Sequence, residues 1–167
     1  MDGGSGADSI QGNDGADSLA GGTGNDSLYG GGQADRLDGG DHLDLLVGGL
    51  GIDIMAGGLG ADTFQWNVND FGTGLRTGTD RITDFSHAEG DRIDLSLIDA
   101  STTAAGNNAF NFIGTTAFAN DGVGGKLRFV QDAGNTFIEG DRNGDGTANF
   151  AIRLDGLKTL IATDFVL

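Results

Sequence analysis

From Gly3 to Gln65 a large apolar residue returns at every ninth position: Ile10, Leu19, Leu28, Leu37, Leu46, Met55 and Phe64. Between them the chain is polar and glycine-rich, as in SLYGGG (27–32) and RLDGGD (36–41). A period of nine matches neither the 3.6-residue helix nor a long alternating strand. It predicts a three-residue strand, x-apolar-x, whose middle side chain points inward, followed by a loop. Two such nonapeptides make one coil of a solenoid. One inward side chain per nonapeptide is a thin core, and no single repeat buries its own face, so the coils must stack.

The polar positions are as regular as the apolar ones. Position one is always glycine: Gly3, Gly12, Gly21, Gly30, Gly39, Gly48 and Gly57. Position two is Gly4, Gly22, Gly31, Gly40, Gly49 and Gly58, with Asn13 as the one exception. Position four is Gly6, Gly15, Gly24, Gly51 and Gly60, with Gln33 and His42 departing. Such positions suit a backbone with positive φ and close passage of one loop over the next. Position six is always aspartate: Asp8, Asp17, Asp26, Asp35, Asp44, Asp53 and Asp62. Seven carboxylates at one register position repel one another unless something binds between them, and hydrophobic burial this thin does not offset that. Short carboxylates beside a glycine backbone are the donors a hard cation takes. A Gly/Asp-rich disordered linker shares the composition but needs no apolar residue at every ninth position.

Composition sharpens this. Of 25 acidic residues only Glu89 and Glu139 are glutamate. The formal charge is -16, and residues 1–75 hold twelve Asp with Arg36 as the single base. A surface of that sign repels nucleic acid and anionic membranes, so neither nucleic-acid binding nor stable membrane insertion is expected. No apolar run reaches the length of a membrane span. Without cysteine, disulfides and thiolate metal sites are excluded.

The nonapeptide GGxGxDxUx, with U a large apolar residue, resembles the calcium-binding RTX repeat across all seven copies. The resemblance implies an all-β fold, a right-handed parallel β-roll, with calcium held between the loop of one repeat and the loop two repeats on. It implies ligands from the seven Asp carboxylates and from loop residues, mostly through backbone carbonyls. These are Gly3 and Ser5; Gly12 and Asp14; Gly21, Gly22, Thr23 and Gly24; and Gly30, Gly31, Gly32 and Gln33. They continue with Gly39, Gly40, Asp41 and His42; Gly48, Gly49, Leu50 and Gly51; and Gly57, Gly58, Leu59 and Gly60. Asp8, Asp26, Asp44 and Asp62 would line one edge and Asp17, Asp35 and Asp53 the other, leaving five gaps between them. About five or more Ca2+ ions are therefore expected; ten positive charges would nearly balance the net -11 of residues 1–75. Asp80 and Asp84, just beyond the last repeat, are expected to complete a terminal calcium site.

After Phe64 aromatics rise and loops lengthen. DRITDF (80–85), DRIDLSLID (91–99), NAFNFIG (108–114), GKLRFVQ (125–131), NTFIEGD (135–141) and NFAIRLDG (149–156) alternate as half-buried strands do. KLRFVQDAGNTFIEG predicts a hairpin turning at Asp132–Asn135. Residues 1–75 are expected to form the roll and 76–167 a β-meander or sandwich that packs on and caps its open end. DRNGDG (141–146) has the spacing of half an EF-hand loop, but the twelfth position is Ile152, so a tight turn is the favoured reading.

GDRIDLSLIDA, FNFIGTTAF, GKLRFV, EGDRNGDGTANFAIRL and the terminal DFVL resemble the C-terminal region of serralysin-type secreted metallopeptidases. That resemblance implies an uncleaved type I secretion signal at Asp164, Phe165, Val166 and Leu167. It also implies an extracellular location after export from a Gram-negative bacterium, and an upstream catalytic domain in the same polypeptide as a partner alongside the exporter. The first repeat starts directly after Met-Asp, which likewise suggests the C-terminal piece of a longer protein. No HExxHxxGxxH, GxSxG, GxGxxG or P-loop is present, and His42 and His87 stand alone. The expectation is a non-catalytic module that stays unfolded at low calcium and folds on calcium binding outside the cell. The competing expectation is a polysaccharide- or surface-binding roll, for which Tyr29 and Trp66 are the available aromatics.

Overall fold

A computed structural model describes residues 1–71, 76, 78–102 and 104–167. The expected boundary after residue 75 lies outside the described residues. Among the described residues fifteen strands follow one another: β1 Asp2–Ser5, β2 Ser9–Asp14, β3 Ser18–Thr23, β4 Ser27–Gly32, β5 Arg36–Asp41, β6 Leu45–Leu50, β7 Ile54–Leu59 and β8 Thr63–Gln65. Then come β9 Arg81–Ile82, β10 Arg92–Asp94, β11 Asn111–Phe112, β12 Lys126–Asp132, β13 Asn135–Asp141, β14 Phe150–Leu154 and β15 Phe165–Val166. The single helical element among the described residues is a 3₁₀ turn, Ala162–Asp164.

Strands β1 to β10 alternate between two sheets. One runs β1-β3-β5-β7-β9-β14-β13-β12-β11 and the other β15-β10-β8-β6-β4-β2. Within the repeats every pairing is parallel and the register is 18 residues, for example Leu19↔Leu37↔Met55 and Ile10↔Leu28↔Leu46. The nonapeptide thus alternates sheets and two nonapeptides close a coil. The position-eight side chains face one another between the sheets; Leu19, Leu28, Leu37, Leu46, Met55 and Phe64 are all buried.

The second half carries the expected antiparallel meander at the open end of the roll. It is β12-β13-β14, with its two-residue turn at Ala133 and Gly134, both at positive φ. It joins one sheet edge to edge, through β14 pairing parallel to β9 and β9 to β7. The other sheet is lengthened by β10 and β15, both parallel. The physical reason is that the inward columns carry on past the repeats: Met55↔Ile82↔Leu154 in one sheet and Phe64↔Ile93↔Phe165 in the other. One continuous core results, from Leu19 to Phe165.

Close coil stacking makes one glycine class indispensable. Gly40 has φ +107°, and a Cβ there would collide with the Gly22 backbone carbonyl of the preceding coil. Gly134 has φ +80° with open space around it. Both lose about 1–2 kcal/mol on changing to Ala for the left-handed backbone, while Gly40→Ala carries a further ~1–3 kcal/mol of overpacking. Thermal unfolding at saturating calcium is expected to drop by several degrees more for Gly40→Ala than for Gly134→Ala; equal shifts would contradict the stacking.

Candidate metal sites

The position-six aspartates form two ladders, one along each edge of the roll. On one edge the backbone N–H of Asp8 donates to Asp26 Oδ1 at 2.8 Å, Asp26 to Asp44 at 2.7 Å and Asp44 to Asp62 at 2.9 Å. On the other edge Asp17 donates to Asp35 at 2.8 Å and Asp35 to Asp53 at 2.8 Å. One carboxylate oxygen of each aspartate from the second coil onward is therefore spent on joining its coil to the one before.

The second oxygen is different. Oδ2 of all seven position-six aspartates is buried with no hydrogen-bond partner. Asp26, Asp35, Asp44, Asp53 and Asp62 are each at most 3% exposed. A buried carboxylate with an uncompensated oxygen costs several kcal/mol, and the same cost repeats seven times in one register. Position-one glycine explains how the oxygens are accommodated. A Cβ on Gly3 would lie 2.7 Å from Asp8 Oδ2 and 2.8 Å from the Gly21 carbonyl oxygen. On Gly21, Gly30 and Gly39 the corresponding distances are 2.5 Å to the aspartate and 2.5 Å to the glycine carbonyl of the next coil. Gly12 faces the same pair, Asp17 Oδ2 and the Gly30 carbonyl. In five repeats, then, a carboxylate oxygen and a carbonyl oxygen from successive coils converge where only glycine leaves room.

The other loop candidates divide by atom. The position-three carbonyls of Thr23, Gly32, Asp41 and Leu59 accept the position-four N–H of the preceding coil, at 2.7–3.2 Å. The side chains of Leu50 and Leu59 are 55% and 65% exposed, so only their backbones can take part. Gln33 and His42 keep positive φ, 76° and 91°, without glycine's freedom, so the loop geometry persists at both departures. Among the described residues no group of three or more His, Cys, Asp or Glu side chains forms a metal-binding cluster. The sites are mixed carboxylate and carbonyl oxygen sets, which suit calcium and not the nitrogen- or sulfur-seeking metals.

Beyond the repeats, each ladder gains one rung. Asp53 N–H donates to Asp80 Oδ1 at 2.9 Å, and Asp62 N–H to Asp91 Oδ1 at 3.0 Å. Asp80 was an expected site residue; Asp91 was missed. The signal available for both was the tripeptide Asp-Arg-Ile at 80–82 and at 91–93, an echo of Asp35-Arg36-Leu37. Asp84 accepts from Gly57 N at 3.1 Å and Gly58 N at 2.9 Å, beside the last repeat loop. In DRNGDG, Asp141 accepts from Gly144 N at 2.7 Å and Gly146 N at 3.2 Å, the geometry of the tight turn.

The model of the RTX calcium-binding nonapeptide repeat matches in four copies, over residues 2–37, 11–44 and 38–65. No curated protein matches the chain. Among solved structures, the solution structure of the AlgE6R2 subunit of the Azotobacter vinelandii mannuronan C5-epimerase is similar at TM-score 0.51 and 23% identity, covering 95% of this chain and 90% of that one. The AlgE6R3 subunit of the same enzyme gives TM-score 0.49 and 27% identity, over 96% and 78%. Residues 2–65 thus match the RTX calcium-binding nonapeptide repeat and fold as a parallel β-roll.

The carboxyls respond to this placement. Burial pushes Asp53 and Asp62 from the ordinary 3.8 up to about 7, against the pull of their ladder hydrogen bonds and helped by neighbouring aspartates. Burial likewise raises Asp80 to about 6, and raises Asp35, Asp44 and Asp91. A carboxyl whose folded value lies above its unfolded one favours folding while protonated. That contribution is complete below about 3.8 and is lost as pH rises through about 7. In chelator, far-UV circular dichroism is expected to show more β-structure near pH 4 than above pH 7; the reverse order would contradict the burial of these groups.

Proposed function

We propose that this chain is a calcium-dependent folding module of a secreted protein, with residues 1–75 as the roll and 76–167 as its C-terminal cap. The observation that carries the reading is the column of seven buried, unpartnered Asp Oδ2 atoms. The ligands are those oxygens together with the position-one carbonyls of Gly21, Gly30, Gly39, Gly48 and Gly57, completed by the neighbouring loop carbonyls. Asp84, which raises the Asp62 carboxyl alongside Asp91, stands beside the last position on its edge. Bound calcium supplies the positive charge that lets the carboxylates stack.

At low calcium the repelling carboxylates hold the chain open. Outside the cell, calcium near ~10⁻⁴–10⁻³ M is enough for modules of this kind, and the binding free energy becomes folding free energy. Type I export before folding is the route that the resemblance of residues 164–167 suggests. Asp164 is buried, paired with His87 and accepting from Ile161 N at 2.8 Å, and Phe165 is a paired strand residue. On that reading these residues would be recognised before this fold forms, because here they are packed. An upstream catalytic domain of peptidase type is the partner that the second half's sequence resemblance suggests, and the folded roll would stabilise it. The polysaccharide-binding alternative finds less support: Trp66 is 1% exposed, which withdraws one of the two aromatics a glycan would stack on.

A calcium titration with magnesium as control tests the reading. Far-UV circular dichroism is expected to gain β-structure cooperatively with calcium alone. Asp44→Asn is expected to bind one ion fewer and to weaken that site at least about tenfold, the loss typical of disturbing even the outer-shell partner of a metal ligand. Full structure in excess chelator at neutral pH would overturn the folding role.

A further inference from the structure

The solenoid does not stop where the nonapeptides do, and its last two turns treat their aspartates differently. In the repeats, position one is glycine and position-six Oδ2 has no partner. Counting nine on from Gly57, the next position one is Trp66. The chain then makes a longer excursion and returns to position six at Asp80, fixed there by the Asp53 ladder bond and by the pairing Ile54↔Arg81. Where a Cβ on any position-one glycine from Gly3 to Gly57 would meet its own repeat's Oδ2, the Trp66 side chain does meet it. The indole Nε1–H donates to Asp80 Oδ2 at 2.6 Å, with the ring 1% exposed. On the other edge Asp91 stands at position six, paired through Arg92↔Thr63. Five residues before it, the spacing that separates position one from position six in the repeats, Ser86 donates its backbone N–H to Asp91 Oδ2 at 2.7 Å.

We propose that Trp66–Asp80 and Ser86–Asp91 are calcium-free closing turns, in which an N–H donor takes the place that a cation takes in the repeats. Both keep the ladder bond that joins coil to coil, so stacking continues through them. Both satisfy the oxygen that would otherwise face a metal, so the metal columns end at Asp53 and Asp62. Such turns give each column a rung that is complete without calcium. Asp80 thereby leaves the ligand set that sequence resemblance suggested for it and becomes a positioning residue. This assignment rests on the calcium reading of the repeats.

The test counts ions on the calcium-loaded full chain by native mass spectrometry and follows the single indole N–H by NMR hydrogen exchange. Asp53→Asn is expected to bind one ion fewer than the parent. Asp80→Asn is expected to bind the parent number, because its carboxylate holds no metal. The Trp66 indole proton is expected to exchange at least about tenfold more slowly than a free indole, corresponding to roughly 1.4 kcal/mol of protection, and to lose that protection in Asp80→Asn. If Asp80→Asn does not fold, Trp66→Phe keeps the carboxylate and removes the donor; the parent ion count, or one more, supports the assignment and one fewer overturns it. Loss of an ion in Asp80→Asn, or free exchange of the indole proton in the parent, also overturns it. Should Asp53→Asn keep the full count as well, the calcium reading of the repeats fails, and the indole exchange alone decides whether the N–H closes the turn.

Discussion

Everything in this fold is arranged around aspartates stacked one coil apart, each with one oxygen bare and, from the second coil onward, the other bonded. Coils in a parallel solenoid sit about 4.8 Å from one another, so like charges at one register position are held closer than solvent would allow. The ladder N–H bonds use Oδ1 and set the stacking. The glycines at position one leave room for Oδ2 and turn the next coil's carbonyl toward it. The core between the sheets is only one large side chain wide per strand in the repeats. It keeps the two sheets in register without outweighing the repulsion at both edges. Cation binding at the edges and apolar stacking at the centre are thus two halves of one stability problem.

The second half meets the same problem by different means. Its core is thicker, with Phe85, Leu95, Ile98, Phe129, Ile138 and Phe150 all buried. Several of its charges are paired: Arg76 and Arg128 hold Glu139, and Arg81 and Arg153 hold Asp155. It also ties down the end of the chain, since His87, in the loop between the two last ladder aspartates and their strands, is bonded to the buried Asp164 just before β15. The terminal strand therefore docks on the same segment that ends the aspartate ladder.

The nine-residue period made the roll, its inward column and its seven aspartates legible before any coordinates, because each physical demand recurs at a fixed offset. Legibility failed where the offset failed. Asp80 and Asp91 belong to the ladders, but they stand 27 and 29 residues after Asp53 and Asp62, so neither keeps the 18-residue spacing of the coils. Asp91 passed as part of an ordinary alternating strand. Trp66 read as an aromatic available to a polysaccharide, whereas its place at position one, where side chains are otherwise excluded, is visible only through its contact with Asp80. The meander's strands were readable from alternation and its hairpin from the Ala133-Gly134 turn. Its edge-to-edge attachment depended on Ile82 and Leu154 extending a column begun by Leu19, a long-range match that local pattern does not report.

The most direct measurement is anomalous diffraction from crystals grown in calcium. The account predicts two columns of calcium peaks along the roll's edges, about one coil apart, each within ~2.3–2.6 Å of a position-six carboxylate oxygen. Columns holding only water at saturating calcium, with the seven Oδ2 atoms hydrogen-bonded to it, would contradict the account.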